Sequence, residues 1–570
     1  MEYSAVCHKM DKNDCYALEK GKFLFRLKTK KNDMKHVVLH FQDKYIPISF
    51  LDTRSSRMMT KVASDSYSDY YECELEFDVV CLRYFFRLED WDGNVEYYSN
   101  YEFLQQEPED NERMFDCPQN LREEEMFIMP EWAKDKVVYQ IFPSRFATSK
   151  QVSEELWYKT PIENDDNLQG DLRGVINSLP YLQELGIDVV YMTPVFAADT
   201  SHKYDTKDYY SIDPSFGTKE DLKELVEKAH ALGMHVILDA VFNHTSRDFF
   251  AFADIMEKGP DSAYLDWYFI KEFPLKAEWG QKPNYKTFGY YGYMPKLNVR
   301  NPEVERYIID VAKYWIKECD IDGWRMDVGD EISHRFWKRF REEIKAVKED
   351  VLIVGEIWHY MGAFLEGDEW DTIMNYHFYN SVMDLIAREN ITATQFVEKM
   401  DFMRGNAHTR VYPVLWNLID SHDTPRFLHS CGENKKKQKL AAALQLLLPG
   451  MPMMYYGDEV ALSGGADPDC RRGMLWKEEL QDKEMFRWYQ KLIEVRHTCA
   501  DMLSTPVVTN RSDDASGVIV MERGFAGKYT LIFQTKDAVV ELPEYAGKKN
   551  LLTGEVFDGV VDGYGVAVLV

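Results

Sequence analysis

The chain opens on MEYSAVCHKMDKNDCY, which has no apolar segment of the kind a secretory leader needs, so none is expected. Long hydrophobic runs are missing as well. The longest apolar stretch, LAAALQLLLPGMPMMYY (440–456), is broken by Gln445, Gly450 and Pro452. It falls short of the roughly 20 apolar residues that a membrane-spanning helix requires, so no membrane partner is expected. Positive charge is scarce: 68 Lys and Arg face 96 Asp and Glu, a net charge of −28. No basic stripe is left to meet phosphates, which excludes nucleic acid as a partner. The nine cysteines are odd in number and lack metal-ligand spacing. They read as reduced thiols of a cytoplasmic protein, with a Cys7–Cys15 pair as the alternative. Internal repeats and low-complexity tracts are absent.

What remains is a globular composition, 45% hydrophobic and 29% charged, in 570 residues. That is too long for one ordinary core and calls for two to four domains. Residues 1–125 read as an N-terminal β-sandwich. The short runs KFLFRLKTK (22–30), HVVLHFQ (36–42), YYECELEF (70–77) and LRYFFRLED (82–90) are separated by turn-formers such as KKND and DWDGN. The acidic stretch 105–125 reads as a linker. From about residue 130, short apolar strands alternate with helical stretches. The strand candidates are 136–143, 187–195, 235–242, 321–328, 350–358, 371–376, 412–421 and 451–459, with helices such as 219–233 and 302–320 between them. Eight strands in this order fit a (β/α)8 TIM barrel spanning 126–498 better than an open doubly wound sheet. The interval between the third and fourth strands is about twice a βα repeat. Its aromatic-, Gly- and Pro-rich residues 245–298 read as a subdomain inserted after strand 3. Residues 499–570 return to strands and form a C-terminal β-domain.

In such a barrel, chemistry gathers where the strands end. The third strand ends with Asp239, Asn243 and His244, and the fourth, GWRMDVGDE (323–331), with Arg325 and Asp327. The fifth ends with Glu356 and Trp358, and the seventh with His422, Asp423 and Arg426. Any one polar ending is as readily structural as functional; four on one rim are not coincidence. Crowded carboxyl groups cannot all ionise, so at least one pKa is driven up. Arg325 and Asp327 share one strand face, and an arginine there is expected to hold Asp327 ionised while another acid keeps its proton. One charged nucleophile and one protonated acid is the arrangement for cleaving a glycosidic bond. The two histidines read either as donors to sugar hydroxyls or as strand-end residues tied to loop backbone. No HExxH or comparable spacing supports metal ligation, so no metal is assigned.

The segments DAVFNH (239–244), GWRMDV (323–328), GEIWH (355–359) and NLIDSHDTPR (417–426) closely resemble, in order, the four signature regions of the alpha-amylase superfamily of glycoside hydrolases. MPKLN (294–298), HKYDTKDYY (202–210) and DPDCRR (467–472) resemble the subgroup of cyclomaltodextrinases, maltogenic amylases and neopullulanases, and the likeness spans essentially the whole chain. The resemblance implies Asp327 as nucleophile, Glu356 as general acid/base and Asp423 as transition-state stabiliser. It also implies that Arg325, His244 and His422 line the subsite of the cleaved glucose, that Tyr204 stacks on that sugar, and that Asp467 and Arg471 contact the next one. Asp239 and Asn243 read as structural support of the rim. Trp358 either stacks on the leaving sugar or packs beneath the inserted subdomain. Asp330 and Glu331 are expected to cap the following helix.

Retaining hydrolysis of α-glucosidic bonds, mainly α-1,4, in cyclodextrin, short maltooligosaccharides and pullulan is the implied activity, with transglycosylation beside it. The two catalytic carboxyls are then expected roughly 5–5.5 Å apart. The resemblance further implies a homodimer formed through the N-terminal domain, against a domain that merely packs on its own barrel. An α-1,6-acting glucosidase or glucanotransferase and a non-catalytic sugar-binding relative are the rival readings; the latter predicts loss of an acid, and all three acids are present. Where the subgroup often carries an Asn/Asp-rich calcium loop after the first strand, this chain has FPSRFATSKQVSEE (142–155). Thr148 and Lys150 stand at positions expected to supply oxygen ligands, and a lysine cannot coordinate calcium. That calcium site is therefore expected to be absent, with no cofactor required.

Overall fold

The computed structural model describes residues 1–10, 14–46, 54–108, 113–118, 127–278, 280–359, 362–504 and 508–570. Its centre is a closed barrel of eight parallel strands: β1 (Val138–Ile141), β2 (Val189–Met192), β3 (His235–Ala240), β4 (Gly323–Met326), β5 (Leu352–Gly355), β6 (Thr372–Asn375), β7 (Trp416–Asn417) and β8 (Met451–Tyr455). β8 pairs with β1 and closes the ring. Almost every strand residue is buried, because side chains fill one face and helices cover the other. That double burial is why the strands are near-continuous apolar runs rather than alternating ones.

Helices α1 (Leu172–Leu185), α2 (Lys219–Ala231), α3 (Pro302–Cys319) and α4 (His334–Lys345) lie among the strands. Their starts are written locally. Asp171 accepts from Gly174 N at the head of α1, Thr218 and Asp221 form a capping box on α2, and Asn301 followed by Pro302 opens α3. The expectation for α4 needs correction: its N-cap is Ser333, without a side-chain capping bond. Glu331 sits in a short 3-10 turn, Gly329–Glu331, and pairs instead with Lys296 at 3.0 Å; Asp330 faces His359 at 3.7 Å.

Between β3 and β4 the chain makes the helix Phe250–Lys258 and then pairs loosely with itself through Tyr268–Leu297, Ile270–Tyr285 and Thr287–Pro295. A bridge between His244 and Lys296 ties this excursion to the end of β3.

Before the barrel, strands Cys15–Glu19, Lys22–Lys30, Ser68–Glu76 and Thr60–Ser64 form one antiparallel sheet. Ser55–Met58, Met34–Asp43, Cys81–Asp90, Val95–Ser99, Glu102–Leu104 and Phe115–Pro118 form the other. Their inner faces share a core of Phe25, Leu27, Leu39, Tyr84, Phe86 and Phe115. The stretch read as a linker is thus part sandwich: Phe115–Pro118 pairs with Cys81–Tyr84, and residues 119–126 lie outside the described ones. Glu72 joins the sandwich to the barrel, 2.6 Å from Arg26 on its own domain and 2.6 Å from Arg404 on the helix Ala393–Asn406. At the other end, Val508–Asp513, Val518–Arg523, Tyr529–Gln534 and Val566–Leu569 make a four-stranded antiparallel sheet. Among the described residues no helix is long and apolar enough to cross a membrane.

Candidate active site

In the parallel register of β3 and β4, Asp239 stands directly opposite Arg325. The arginine is fully buried, and its guanidinium serves three acids from three consecutive strands. Nη1 lies 2.9 Å from Asp239 Oδ2 and 3.0 Å from Asp327 Oδ1, while Nη2 lies 2.8 Å from Glu356 Oε2. The expected Arg325–Asp327 pair is therefore one arm of a shared clamp. A planar, delocalised cation fits this role where a lysine ammonium would not.

One cation cannot neutralise the acids around it. Burial, with repulsion from Glu356, Asp239 and Asp423 added to it, pushes the Asp327 carboxyl well above the usual carboxylate range against the pull of Arg325. Burial likewise pushes Asp239 up to about 6, although the hydroxyls of Tyr191 and Tyr204 donate to its Oδ2 at 2.7 and 3.1 Å. Glu356 is richer in partners. Its Oε2 accepts the Val328 N–H at 3.0 Å and its Oε1 the indole N–H of Trp358 at 2.9 Å, besides the contact with Arg325. Among the described residues Asp327 has Arg325 alone, and its Oδ2 has no hydrogen-bond partner. Within this coupled set Asp327 is thus the acid whose charged form has fewer hydrogen bonds. Val328 adopts φ +47° and ψ 42°, a left-handed conformation that strains a β-branched residue by about 1–2 kcal/mol. That turn aims its N–H at Glu356.

Asp423 stands at the edge of the cluster with 30% of its side chain open. His422 Nε2 is 3.2 Å from its Oδ2 and 2.6 Å from the Tyr204 hydroxyl. The Gln140 amide donates to Nδ1 of the same imidazole at 2.8 Å, which leaves the ring proton on Nε2; burial holds the ring neutral. Arg471 reaches Asp423 Oδ1 at 3.4 Å, Asp467 Oδ1 at 2.8 Å and the His422 carbonyl at 2.8 Å. Asp467 and Arg471 also line an open cleft of about 710 Å³, with His202, Tyr291 and Tyr293 on its walls.

His244 donates from Nε2 to the Tyr204 carbonyl at 3.1 Å and lies parallel to Phe288 at 5.1 Å, so it is at least partly engaged by loop backbone. Burial, aided by Lys296, holds its pKa down to about 3. Asn243 is a junction: its side-chain carbonyl accepts from Lys296, its amide reaches Glu331 at 3.3 Å, and its backbone carbonyl takes Leu297 N–H. Trp358 is 46% exposed and stacks on Tyr376 at 3.8 Å, so it lies at the open surface and not beneath the inserted segment. Sequence reasoning missed Gln140, Tyr191 and Tyr376. The signal for the first two was a polar group inside an otherwise apolar barrel strand.

In the loop after β1 the polar side chains are engaged by protein partners. Lys150 Nζ donates to the Ser215 carbonyl at 2.7 Å and lies 3.8 Å from Asp171 Oδ2. Asp171 already accepts from Ser149 N, Ser149 Oγ and Gly174 N at 3.0, 2.7 and 2.7 Å, and Thr148 Oγ1 donates to the Gln169 carbonyl at 2.6 Å. The oxygens a dication would need face protein donors, and an ammonium stands beside them. These residues do not fit the ion.

Acids clustered about one arginine at the C-terminal rim of a parallel barrel, beside an open cleft with aromatic walls, define a barrel enzyme built for glycosyl chemistry. The alpha amylase catalytic domain family matches residues 140–491, and the alpha amylase N-terminal Ig-like domain family matches residues 1–119. The chain is 40% identical over 567 residues to a cyclomaltodextrinase of Geobacillus thermopakistaniensis (strain MAS1), covering 98% of this chain and 96% of that one. It is 38% identical over 572 residues to neopullulanase 2 of Thermoactinomyces vulgaris, covering 98% and 96%. A solved cyclomaltodextrinase structure superposes with a TM-score of 0.93 at 36% identity, covering 100% of both chains. The chain belongs to the alpha-amylase family of glycoside hydrolases.

Proposed function

We propose that the protein hydrolyses α-glucosidic bonds, mainly α-1,4, in cyclomaltodextrins, short maltooligosaccharides and pullulan, with retention of configuration and with sugar acceptors competing against water. The observation that carries this reading is the clamp in which Arg325 holds Asp327 and Glu356 through its two terminal nitrogens. Asp327 attacks the anomeric carbon while Glu356 protonates the departing oxygen; Glu356 then takes a proton from the water that releases the glycosyl-enzyme. In the first step Glu356 is the proton donor and Asp327 the nucleophile, paired with Arg325. Asp423 stabilises the cationic sugar ring. His244, His422 and Tyr204 surround that ring, Asp467 and Arg471 hold the preceding glucose, and Trp358, backed by Tyr376, offers a stacking face to the leaving sugar. Asp239 and Asn243 support the rim. Side-by-side digests of β-cyclodextrin, pullulan and isomaltose test the reading. Cyclodextrin and pullulan are expected to be cleaved and isomaltose left nearly intact; rapid cleavage of isomaltose alone would identify an α-1,6-glucosidase instead.

The reading includes a cytoplasmic location, supported by an odd number of cysteines without metal-ligand spacing, and a homodimer formed through the N-terminal sandwich. Exposed aromatic side chains on that domain, Tyr67 at 83% and Trp91 at 68%, support an interface there. Light scattering at micromolar concentration is expected to give twice the chain mass, and a monomer at every concentration would remove the dimer. No calcium is assigned to the loop after β1. Chelation by EDTA is accordingly expected to leave both kcat/KM and Tm unchanged, and a clear drop in either would contradict the assignment.

A further inference from the structure

The N-terminal sandwich holds a pair of thiols that the glycosidase chemistry does not use. Cys15 lies on the first strand of one sheet and Cys117 on the last strand of the other, 102 positions apart, with their sulfurs 3.5 Å from each other. The contact is not the Cys7–Cys15 pairing weighed from the sequence. Cys117 is buried and Cys15 partly open. Other thiols are placed less well: Cys73 is two strands from Cys15, with Phe25 between them in register, and Cys81 turns its sulfur toward the Leu82 carbonyl. His8 and Tyr84 form a buried polar contact in the same sandwich. His8 Nδ1 lies 2.7 Å from the Arg26 carbonyl, which only accepts, so that nitrogen carries the proton. His8 Nε2 therefore accepts from the Tyr84 hydroxyl at 2.7 Å, while the Cys15 thiol donates to the Cys117 sulfur.

We propose that Cys15 and Cys117 form an oxidisable dithiol that locks the two sheets of the sandwich together by a reversible disulfide when the protein meets peroxide. The Cys15 thiolate attacks one peroxide oxygen; an S–O bond forms, the O–O bond breaks, and hydroxide leaves, taking a proton to become water. Cys117 then attacks the Cys15 sulfenic sulfur. An S–S bond forms, the S–O bond breaks, and the hydroxyl departs as water with the Cys117 proton. Two electrons pass from the thiols to the peroxide in all. Closing a loop of this length restricts the unfolded domain far more than the folded one, where the sulfurs are already in contact.

The test uses the full-length protein, reduced, desalted and exposed to stoichiometric hydrogen peroxide. The expected product has lost two hydrogens in mass and two titratable thiols, and a non-reducing digest contains one peptide joining Cys15 to Cys117. Its sandwich melts about 5 °C higher, and dithiothreitol reverses the change. In Cys117→Ser the same treatment yields Cys15 oxygen acids and no cross-link. Oxidation of Cys15 in the native protein while Cys117 keeps a free thiol would overturn the proposal, as would a cross-link between any other two cysteines. Mapping the native chain keeps the test valid even if the serine variant misfolds.

Discussion

Replacing Asp327 by asparagine is expected to lower kcat by about 10⁴-fold or more while the fold stays intact. The nucleophile is lost, yet the amide carries no charge to be desolvated. Asp327 is an acid whose burial and neighbours already disfavour its ionisation, so its neutral substitute should melt at the same temperature or slightly higher. Glu356→Gln is expected to lose turnover on β-cyclodextrin by a similar factor. The two variants separate on α-maltosyl fluoride, because fluoride departs without protonation. There Glu356→Gln should recover a burst of glycosyl-enzyme formation, limited afterwards by water attack, and Asp327→Asn should show none. Equal recovery in both, or substantial residual cleavage of cyclodextrin by either, would refute the assignment of roles. A Tm measured beside each assay guards against mistaking unfolding for lost chemistry.

The barrel was legible because strands covered on both faces must be continuous apolar runs, and the chain spaces eight of them with helices between. What those runs do not report is where pairing stops. The candidate at 412–421 contributes only Trp416–Asn417 to the ladder, because Tyr412–Val414 turns as a 3-10 segment around Pro413. Acidic composition made 105–125 look like a linker, although Phe115–Pro118 adds a strand to the sandwich. The acids of the rim were visible as polar endings to apolar strands. Their sharing of Arg325 was not, since it depends on the register of β3 against β4, which places Asp239 opposite the arginine. Trp358 and Tyr376 come from the ends of adjacent strands, and nothing in the spacing of 358 and 376 announces a stacked pair. Asp330 and Glu331 carried the composition of a helix cap, but Lys296, arriving from the inserted segment, claims Glu331. In each case a local rule yielded to a partner supplied by tertiary structure.

Arg325→Met tests the clamp itself, and its effect should depend on pH in a direction the cluster dictates. The arginine is fully buried, so the substitution leaves Asp239, Asp327 and Glu356 facing one another without their cation. Breaking a buried ionic cluster from one side costs about 3–5 kcal/mol when the remaining charges persist. Buried acids have an escape, which is to bind protons. Asp239, near 3.9 when unfolded, is already at about 6 in the fold, and Asp327 is also raised. A raised acid gives the fold its full stabilisation below the unfolded value and loses it as pH climbs through the folded one. Without Arg325 both folded values rise further, so the lossy side of that titration widens upward. Urea unfolding is therefore expected to show a loss of about 3–5 kcal/mol at pH 8 and a markedly smaller one at pH 5. Losses of the same size at both pH values would mean that Arg325 holds the rim by packing and not by charge. Arg325→Lys keeps the charge but cannot span the acids with two rigid nitrogens. It should retain most of the stability at pH 8 and still lose at least about 10²-fold in kcat, because Asp327 and Glu356 would no longer be held against a common frame.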